Sequence, residues 1–66
     1  MSVAVNGQTH HVPHSTTVAQ LLTSLDTAGK RVAVERNGEI VPKSLHGTTE
    51  LATGDRVEIV IAVGGG

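Results

Sequence analysis

The dipeptide Asn-Gly occurs twice in this chain of 66 residues, in a setting that limits the folds the chain can adopt. Asn6-Gly7 and Asn37-Gly38 each lie between two extended runs, and each second run is followed by a proline. Asn-Gly favours the positive φ values of the tight turn that joins two antiparallel strands. The sequence therefore predicts one β-hairpin over residues 2–12 and a second one that ends before Pro42.

A single helix is predicted between the two hairpins, over about residues 17–27. Its apolar residues recur with the period of a helix: Val18, Leu21, Leu22 and Leu25. Thr17 and Gln20 have the spacing of a capping box, and Gly29 is a natural C-terminal stop.

After the second hairpin, the sequence predicts a polar segment and then a final strand, Arg56 to Val63. Leu45 and Leu51 are expected to insert into the core, and Gly54-Asp55 to form the last turn. One face of the final strand is expected to be buried: Val57, Ile59, Ile61 and Val63. The other face carries Val60 and Ala62, which predict a docking patch with Val41 beside it, or else an ordinary scatter of exposed apolar residues.

The order strand, strand, helix, strand, short strand, strand predicts an α+β fold of the β-grasp, or ubiquitin-like, class. In this fold a mixed sheet of four to five strands packs on one helix, with the first and last strands parallel at its centre. A chain of this length forms one domain with one small core. We expect residues 1–63 to form the folded body and Gly64, Gly65 and Gly66 to form a flexible tail.

Composition argues against several classes of function. The net charge is −1, and the chain has no Phe, Tyr, Trp or Cys. Neither a cationic stripe nor stacking side chains are available for nucleic acid, and no thiol is available for catalysis or metal binding. The sequence shows no signal peptide or membrane span, so a cytoplasmic protein without membrane contact is expected.

Two clusters of polar residues are weak candidates for sites. His10, His11 and His14 could suggest a metal, but strand alternation and Pro13 separate them, so no metal site is expected. Ser15, His14 and Asp26 could suggest a hydrolase, but no nucleophile-elbow sequence surrounds a serine. Solvated loop and strand residues explain both clusters better.

Four segments together resemble the ThiS family, the sulfur carrier proteins of thiamin biosynthesis, over essentially the whole chain: "TTVAQLLTSL", "VAVERNGEIVP", "LATGDRVEIV" and the terminal "AVGGG". The resemblance implies that Gly66 is the modified residue. Its carboxylate would be adenylated with ATP by an adenylyltransferase related to the ubiquitin E1 enzymes (ThiF type) and converted to a thiocarboxylate. A donor such as a cysteine desulfurase would supply the sulfur, which would pass to a thiazole synthase (ThiG type).

The resemblance also implies a carrier that is not an enzyme, has no cofactor of its own and is a monomer when free. Gly64 and Gly65 would lead the terminus into partner active sites, since residues without Cβ atoms fit a narrow channel. Two alternatives share the fold. One is the small subunit of molybdopterin synthase, against which the "ERNGEIVP" hairpin favours the thiazole branch, and the other is a ubiquitin-like modifier that forms isopeptide bonds.

Overall fold

The computed structural model describes residues 1–27 and 30–62, which form five strands, one α-helix and one 3-10 turn. In chain order these are β1 (Ser2–Val5), β2 (Gln8–His11), α1 (Val18–Ser24), β3 (Val32–Arg36), β4 (Glu39–Ile40), the 3-10 turn (Lys43–Leu45) and β5 (Arg56–Ile61). The predicted helix stop Gly29, the strand residue Val63 and the tail of Gly64, Gly65 and Gly66 lie outside the described residues.

The sheet has the order β2-β1-β5-β3-β4, with β5 at its centre. Strand β1 runs parallel to β5 in the register Val5 opposite Val57, and β3 runs antiparallel to β5 in the register Val34 opposite Ile59. The prediction of a mixed sheet with the first and last strands parallel at its centre is confirmed.

Both Asn-Gly turns have the backbone that the sequence predicts. Asn6 and Asn37 have φ values of 50° and 52°, and the following Gly7 and Gly38 have values of 83° and 85°. Two consecutive positive φ values are the requirement of a type I′ turn, which matches the twist of paired strands. The turns join β1 to β2 and β3 to β4, so both hairpins are confirmed.

The helix begins as predicted but ends earlier. The Gln20 N–H donates to Thr17 Oγ1 at 3.1 Å and the Thr17 N–H donates to Gln20 Oε1 at 2.9 Å, which completes the capping box. The prediction that the helix extends to residue 27 was wrong, because Asp26 has a φ of 59°. The Asp26 N–H donates to Thr23 O and the Thr27 N–H donates to Leu22 O. Asp26 thus occupies the left-handed position that ends a helix and that is usually occupied by glycine.

The core lies between α1 and the inner face of the sheet. It consists of Val3, Val5, Val18, Leu21, Leu22, Val34, Val41, Leu51, Val57 and Ile59. Leu51 is buried as predicted, but Leu45 is 48% exposed and Ile61 is 42% exposed, so the predictions of burial for these two were wrong. Leu45 lies in the 3-10 turn, and the next residue, His46, is the buried one. Ile61 lies beyond the last residue of β1 that pairs with β5, so β3 is the one described strand that pairs with it.

The described helix is short. None of the helices in residues 1–27 and 30–62 has the length and apolar character needed to cross a membrane.

Candidate functional site

The candidate site is the C-terminal end of β5, from which the chain continues toward the three terminal glycines. Gly64, Gly65 and Gly66, the residues predicted to thread into partners and to be modified, lie outside the described residues. The structure describes the strand that precedes them. The hydrogen bonds that hold this strand and the residues exposed on it are therefore the parts of the site that can be described.

Asn6 anchors β5 on one side with its side chain. Its Oδ1 accepts from the Ile59 N–H at 2.8 Å and its Nδ2 donates to Ile59 O at 3.2 Å. The Asn6 N–H also donates to Val57 O at 2.9 Å. Because β1 ends at Val5, the amide of Asn6 takes the place of one more strand residue and satisfies both backbone groups of Ile59.

Asn37 anchors the beginning of β5 on the other side. Its N–H donates to Arg56 O at 2.7 Å, and its Oδ1 accepts from the Arg56 N–H at 2.9 Å. Its Nδ2 donates to Asp55 Oδ1 at 3.0 Å. The asparagines that shape the two hairpin turns are thus also the residues that fix the central strand.

Asp55 completes this anchor as a buried carboxylate. Arg36 Nε donates to its Oδ2 at 2.8 Å, and the Ala52 N–H donates to the same oxygen at 2.8 Å. Burial raises the pKa of Asp55, but the hydrogen bonds from Ala52, Asn37 and Arg36, with the charge of Arg36, outweigh it and leave that pKa below the ordinary 3.8. The carboxylate therefore stays charged at neutral pH and holds the turn that precedes β5.

The other end of β5 has one open edge. The Ala62 N–H donates to Arg31 O at 2.9 Å, so the backbone groups of Val60 and Ala62 point toward β3. In an antiparallel pair successive residues point to opposite sides, so the backbone groups of Ile61 point toward the side of β1. Strand β1 pairs with β5 only as far as Val57, so no strand in residues 1–27 and 30–62 pairs with this edge at Ile61. A sheet edge of this kind can accept an extended segment of another protein.

An apolar strip lies on the outer face of the sheet at the same end. Val60 is 64% exposed, Ala62 is exposed, and the exposed Ala33 of β3 lies directly opposite Val60. We call Ala33, Val60 and Ala62 the outer strip. The sequence analysis missed Ala33, although the alternation of Val32 and Val34 places it on the outer face.

Val41, the third residue predicted for the docking patch, does not lie on the outer strip. It is 9% exposed, and its N–H donates to Val34 O at 2.8 Å. Its neighbour Ile40 lies opposite Glu35 on the outer face and is 65% exposed. A shift of one residue along a strand exchanges the two faces, and the prediction had chosen the inner residue.

The polar residues of the two candidate clusters lie on β2, in the turn that follows it and just after α1. In the described residues no group of three His, Asp or Glu side chains could hold a metal ion. His11 Nδ1 lies 3.1 Å from Ser2 Oγ on an exposed strand. Ser15 lies in a turn with a φ of 64°, whereas Asp26 ends the helix.

Comparisons with known proteins agree with this geometry. The model of the ThiS family matches residues 2–66. The chain is 44% identical over its whole length to a thiazole synthase of Paramagnetospirillum magneticum, but it spans only 20% of that protein. It is 46% identical over 50 residues to the sulfur carrier protein ThiS of Bacillus subtilis, a match that covers 76% of each chain.

A solved structure shows the same fold. The crystal structure of the thiamine biosynthesis protein ThiS of Geobacter metallireducens matches with a TM-score of 0.84 and 36% identity, and the match covers 100% of both chains. With the family match through the final residue and the parallel pairing of β1 and β5, this likeness leads to one conclusion: the chain belongs to the ThiS family.

Proposed function

We propose that this chain carries sulfur for thiamin biosynthesis on the carboxylate of Gly66. The observation that carries the proposal is the family match over residues 2–66, which includes the terminal Gly65-Gly66, four residues after the end of β5 at Ile61. The folded domain then serves as the surface that partner enzymes bind. The chain itself is a co-substrate and does not catalyse a step.

The chemistry requires activation of the terminus, because a carboxylate is a poor electrophile. A carboxylate oxygen of Gly66 attacks the α-phosphorus of ATP, pyrophosphate leaves, and an acyl-adenylate forms. Hydrosulfide, HS⁻, then attacks the acyl carbon, AMP leaves with the electrons of the broken C–O bond, and loss of a proton yields the thiocarboxylate. A persulfide donor gives an acyl disulfide instead, and a thiol must reduce its S–S bond to release the thiocarboxylate. The sequence contains no Cys and no phosphate-binding motif of the form GxxxxGK[ST], so a partner must supply the ATP site and the donor.

The partners follow from these steps. An adenylyltransferase related to the ubiquitin E1 enzymes binds ATP, a donor such as a cysteine desulfurase supplies the sulfur, and thiazole synthase accepts it. Val60 and Ala62 of the outer strip, with the open edge at Ile61, are the surface proposed for docking. Four residues beyond Ala62 span at most about 14 Å, which is enough to carry the terminus from a docked body into a recessed active site.

Mass spectrometry tests the proposal directly. The first measurement is the intact mass of the purified protein, since only a chain that ends at Gly66 has the carboxylate in question. The protein is then incubated with the adenylyltransferase, MgATP and sodium sulfide, where HS⁻ is the nucleophile. We expect a mass gain of one oxygen-to-sulfur exchange, located to Gly66 by fragmentation of the C-terminal peptide.

Matched controls separate the tail from the fold. A Gly65→Val variant should keep its circular dichroism spectrum but lose the mass gain, because a β-branched side chain blocks threading. A chain extended by one alanine after Gly66 should give the same result. An unchanged mass in the wild-type protein, with adducts on lysines of other proteins instead, would replace the carrier with a ubiquitin-like modifier.

The acceptor distinguishes the thiazole branch from the molybdopterin branch. The thiocarboxylate form is mixed with thiazole synthase and its substrates, or with the large subunit of molybdopterin synthase and its pterin precursor. We expect the protein to return to the carboxylate mass only in the first mixture. The family match and the relative that carries the name thiazole synthase both favour this branch.

A further inference from the structure

Three of the five Lys and Arg residues of the chain surround one cavity. The cavity has a volume of about 370 Å³ and lies where the end of α1, the start of β3 and the 3-10 turn meet. Its polar lining is Thr27, Lys30, Arg31, Lys43 and His46, above apolar side chains that belong to the helix and to β3. The other two cations, Arg36 and Arg56, lie elsewhere on the sheet.

The charge around this cavity is unbalanced. The chain as a whole has a net charge of −1, yet no Asp or Glu is among the described residues that line the cavity. The ion pair found within residues 1–27 and 30–62 joins Arg36 to Asp55 and involves none of the three cavity cations. Three cations and no described carboxylate line this cavity, so its local charge favours an anion.

His46 adds a buried polar group to the same cavity. It is 8% exposed, and its Nε2 lies 3.0 Å from Val41 O. A carbonyl oxygen only accepts, so Nε2 is the protonated nitrogen that donates this bond. No described residue forms a hydrogen bond to Nδ1 of His46. In the neutral ring that nitrogen accepts, so it can take a hydrogen bond from a protonated phosphate oxygen.

We propose that this cavity binds a small multivalent oxyanion of the phosphate class. A guanidinium and two ammonium groups match the charge and the several oxygens of phosphate or pyrophosphate. The volume suits one or two phosphate groups and is at the lower end for small-ligand sites. Since the chain has no Phe, Tyr or Trp to stack on a base, recognition of a nucleotide here would depend on its phosphates.

The position of the cavity links it to the end of β5. The carbonyl oxygen of Arg31 accepts from the Ala62 N–H at 2.9 Å, and Arg31 is one of the residues that line the cavity. An anion bound at Arg31 therefore lies beside the point where the chain leaves the sheet toward Gly66. The binding site itself depends only on the charges and shape of the body and does not rest on the sulfur-carrier role.

A titration followed by ¹⁵N NMR tests the site. Sodium phosphate or pyrophosphate is added at constant ionic strength, with NaCl as the balancing salt. We expect saturable shifts at the backbone amides of Thr27, Val32 and His46. Lys43→Gln, which changes an exposed residue of the 3-10 turn, should weaken binding about tenfold, equivalent to about 1.4 kcal/mol.

The matched control is Arg56→Gln. It removes the same charge from an exposed residue outside the cavity and should leave the dissociation constant within about twofold, as expected of a distant surface charge. AMP and ATP form a second arm: tighter binding than pyrophosphate identifies a nucleotide phosphate as the ligand, and equal binding identifies the free anion.

Two results would overturn the inference. Shifts that grow linearly without saturation, or an equal loss in both variants, would show diffuse screening of surface charge and no site. Saturable binding of a poly-glutamate peptide with no response to phosphate or pyrophosphate would assign the cavity to the carboxylates of a protein partner.

Discussion

The anchoring of β5 by Asn6 leads to a quantitative prediction for stability. Asn6→Gly removes the two side-chain hydrogen bonds to Ile59 and keeps a residue that accepts the positive φ of the turn. At about 1 kcal/mol for each bond, the free energy of unfolding should fall by about 2 kcal/mol. Asn6→Ala adds the strain of a left-handed backbone and should cost roughly 1 kcal/mol more.

These losses are large for a domain of this size. In a chain of fewer than about 70 residues a single core rarely supplies more than about 3–5 kcal/mol of stability. Asn6→Gly should therefore unfold at a much lower urea concentration, and Asn6→Ala should be close to unfolded without denaturant. Because the chain has no Trp or Tyr, the assay is urea unfolding followed by far-UV circular dichroism.

Ser15→Gly is the matched control, since Ser15 also has a positive φ of 64° but forms no side-chain hydrogen bond to β5 in the described residues. Its stability should stay within about 0.5 kcal/mol of the wild type. Amide exchange at Ile59 adds a local readout and should accelerate in Asn6→Gly alone. If Asn6→Gly were as stable as Ser15→Gly, with Ile59 exchange unchanged, the side-chain bridge would not stabilise the strand.

Three further predictions concern acid, docking and the core. The pKa of Asp55 in the folded protein is below the ordinary 3.8, so its ionised carboxylate stabilises the fold fully above that value. This stabilisation is lost as the pH falls through the lowered pKa. The urea midpoint should therefore fall less steeply with decreasing pH in Asp55→Asn than in the wild type. Val60→Asp should change the free energy of unfolding by no more than about 0.5 kcal/mol but reduce thiocarboxylate formation severalfold. The control Ile40→Asp changes an equally exposed residue away from the outer strip and should not reduce thiocarboxylate formation. Equal yields of thiocarboxylate from the two variants would remove Val60 from the docking surface. Leu21→Ala, at a 1% exposed core residue, should cost about 2–5 kcal/mol, whereas Leu45→Ala should cost little, and similar urea midpoints for the two would contradict the core described here.

The sequence predicted the elements that depend on neighbouring residues. The Asn-Gly turns and the capping box of Thr17 and Gln20 require only residues within three positions of one another. The end of the helix was predicted less well, because Asp26 adopts the left-handed backbone that a sequence rule assigns to glycine. Nothing in the local pattern distinguishes Asp26 from an ordinary helix residue.

The contacts between distant segments could not be predicted in the same way. Asn6 reaches Ile59 across 53 positions, and this contact exists only because β1 and β5 are parallel neighbours. Leu45 was predicted to insert into the core together with Leu51, but the 3-10 turn exposes Leu45 and buries His46, which donates to Val41 O. Which side chain of a loop is buried depends on which backbone carbonyl groups still need a hydrogen-bond donor after the sheet has formed. The sequence alone does not contain that information.

Strand β5 combines the structural and the functional demands of this small domain. Its inward residues Val57 and Ile59 belong to the core, whereas Val60, between β3 and the open edge, faces outward. Because side chains alternate along a strand, a partner can contact the outer residues without any change in the packing of the inner ones. The bonds that the asparagine side chains form with β5 itself go to its backbone at Arg56 and Ile59 and so leave both faces of the strand free. A domain with a single small core can therefore hold its last strand in place as far as Ala62 and still present that strand to other proteins.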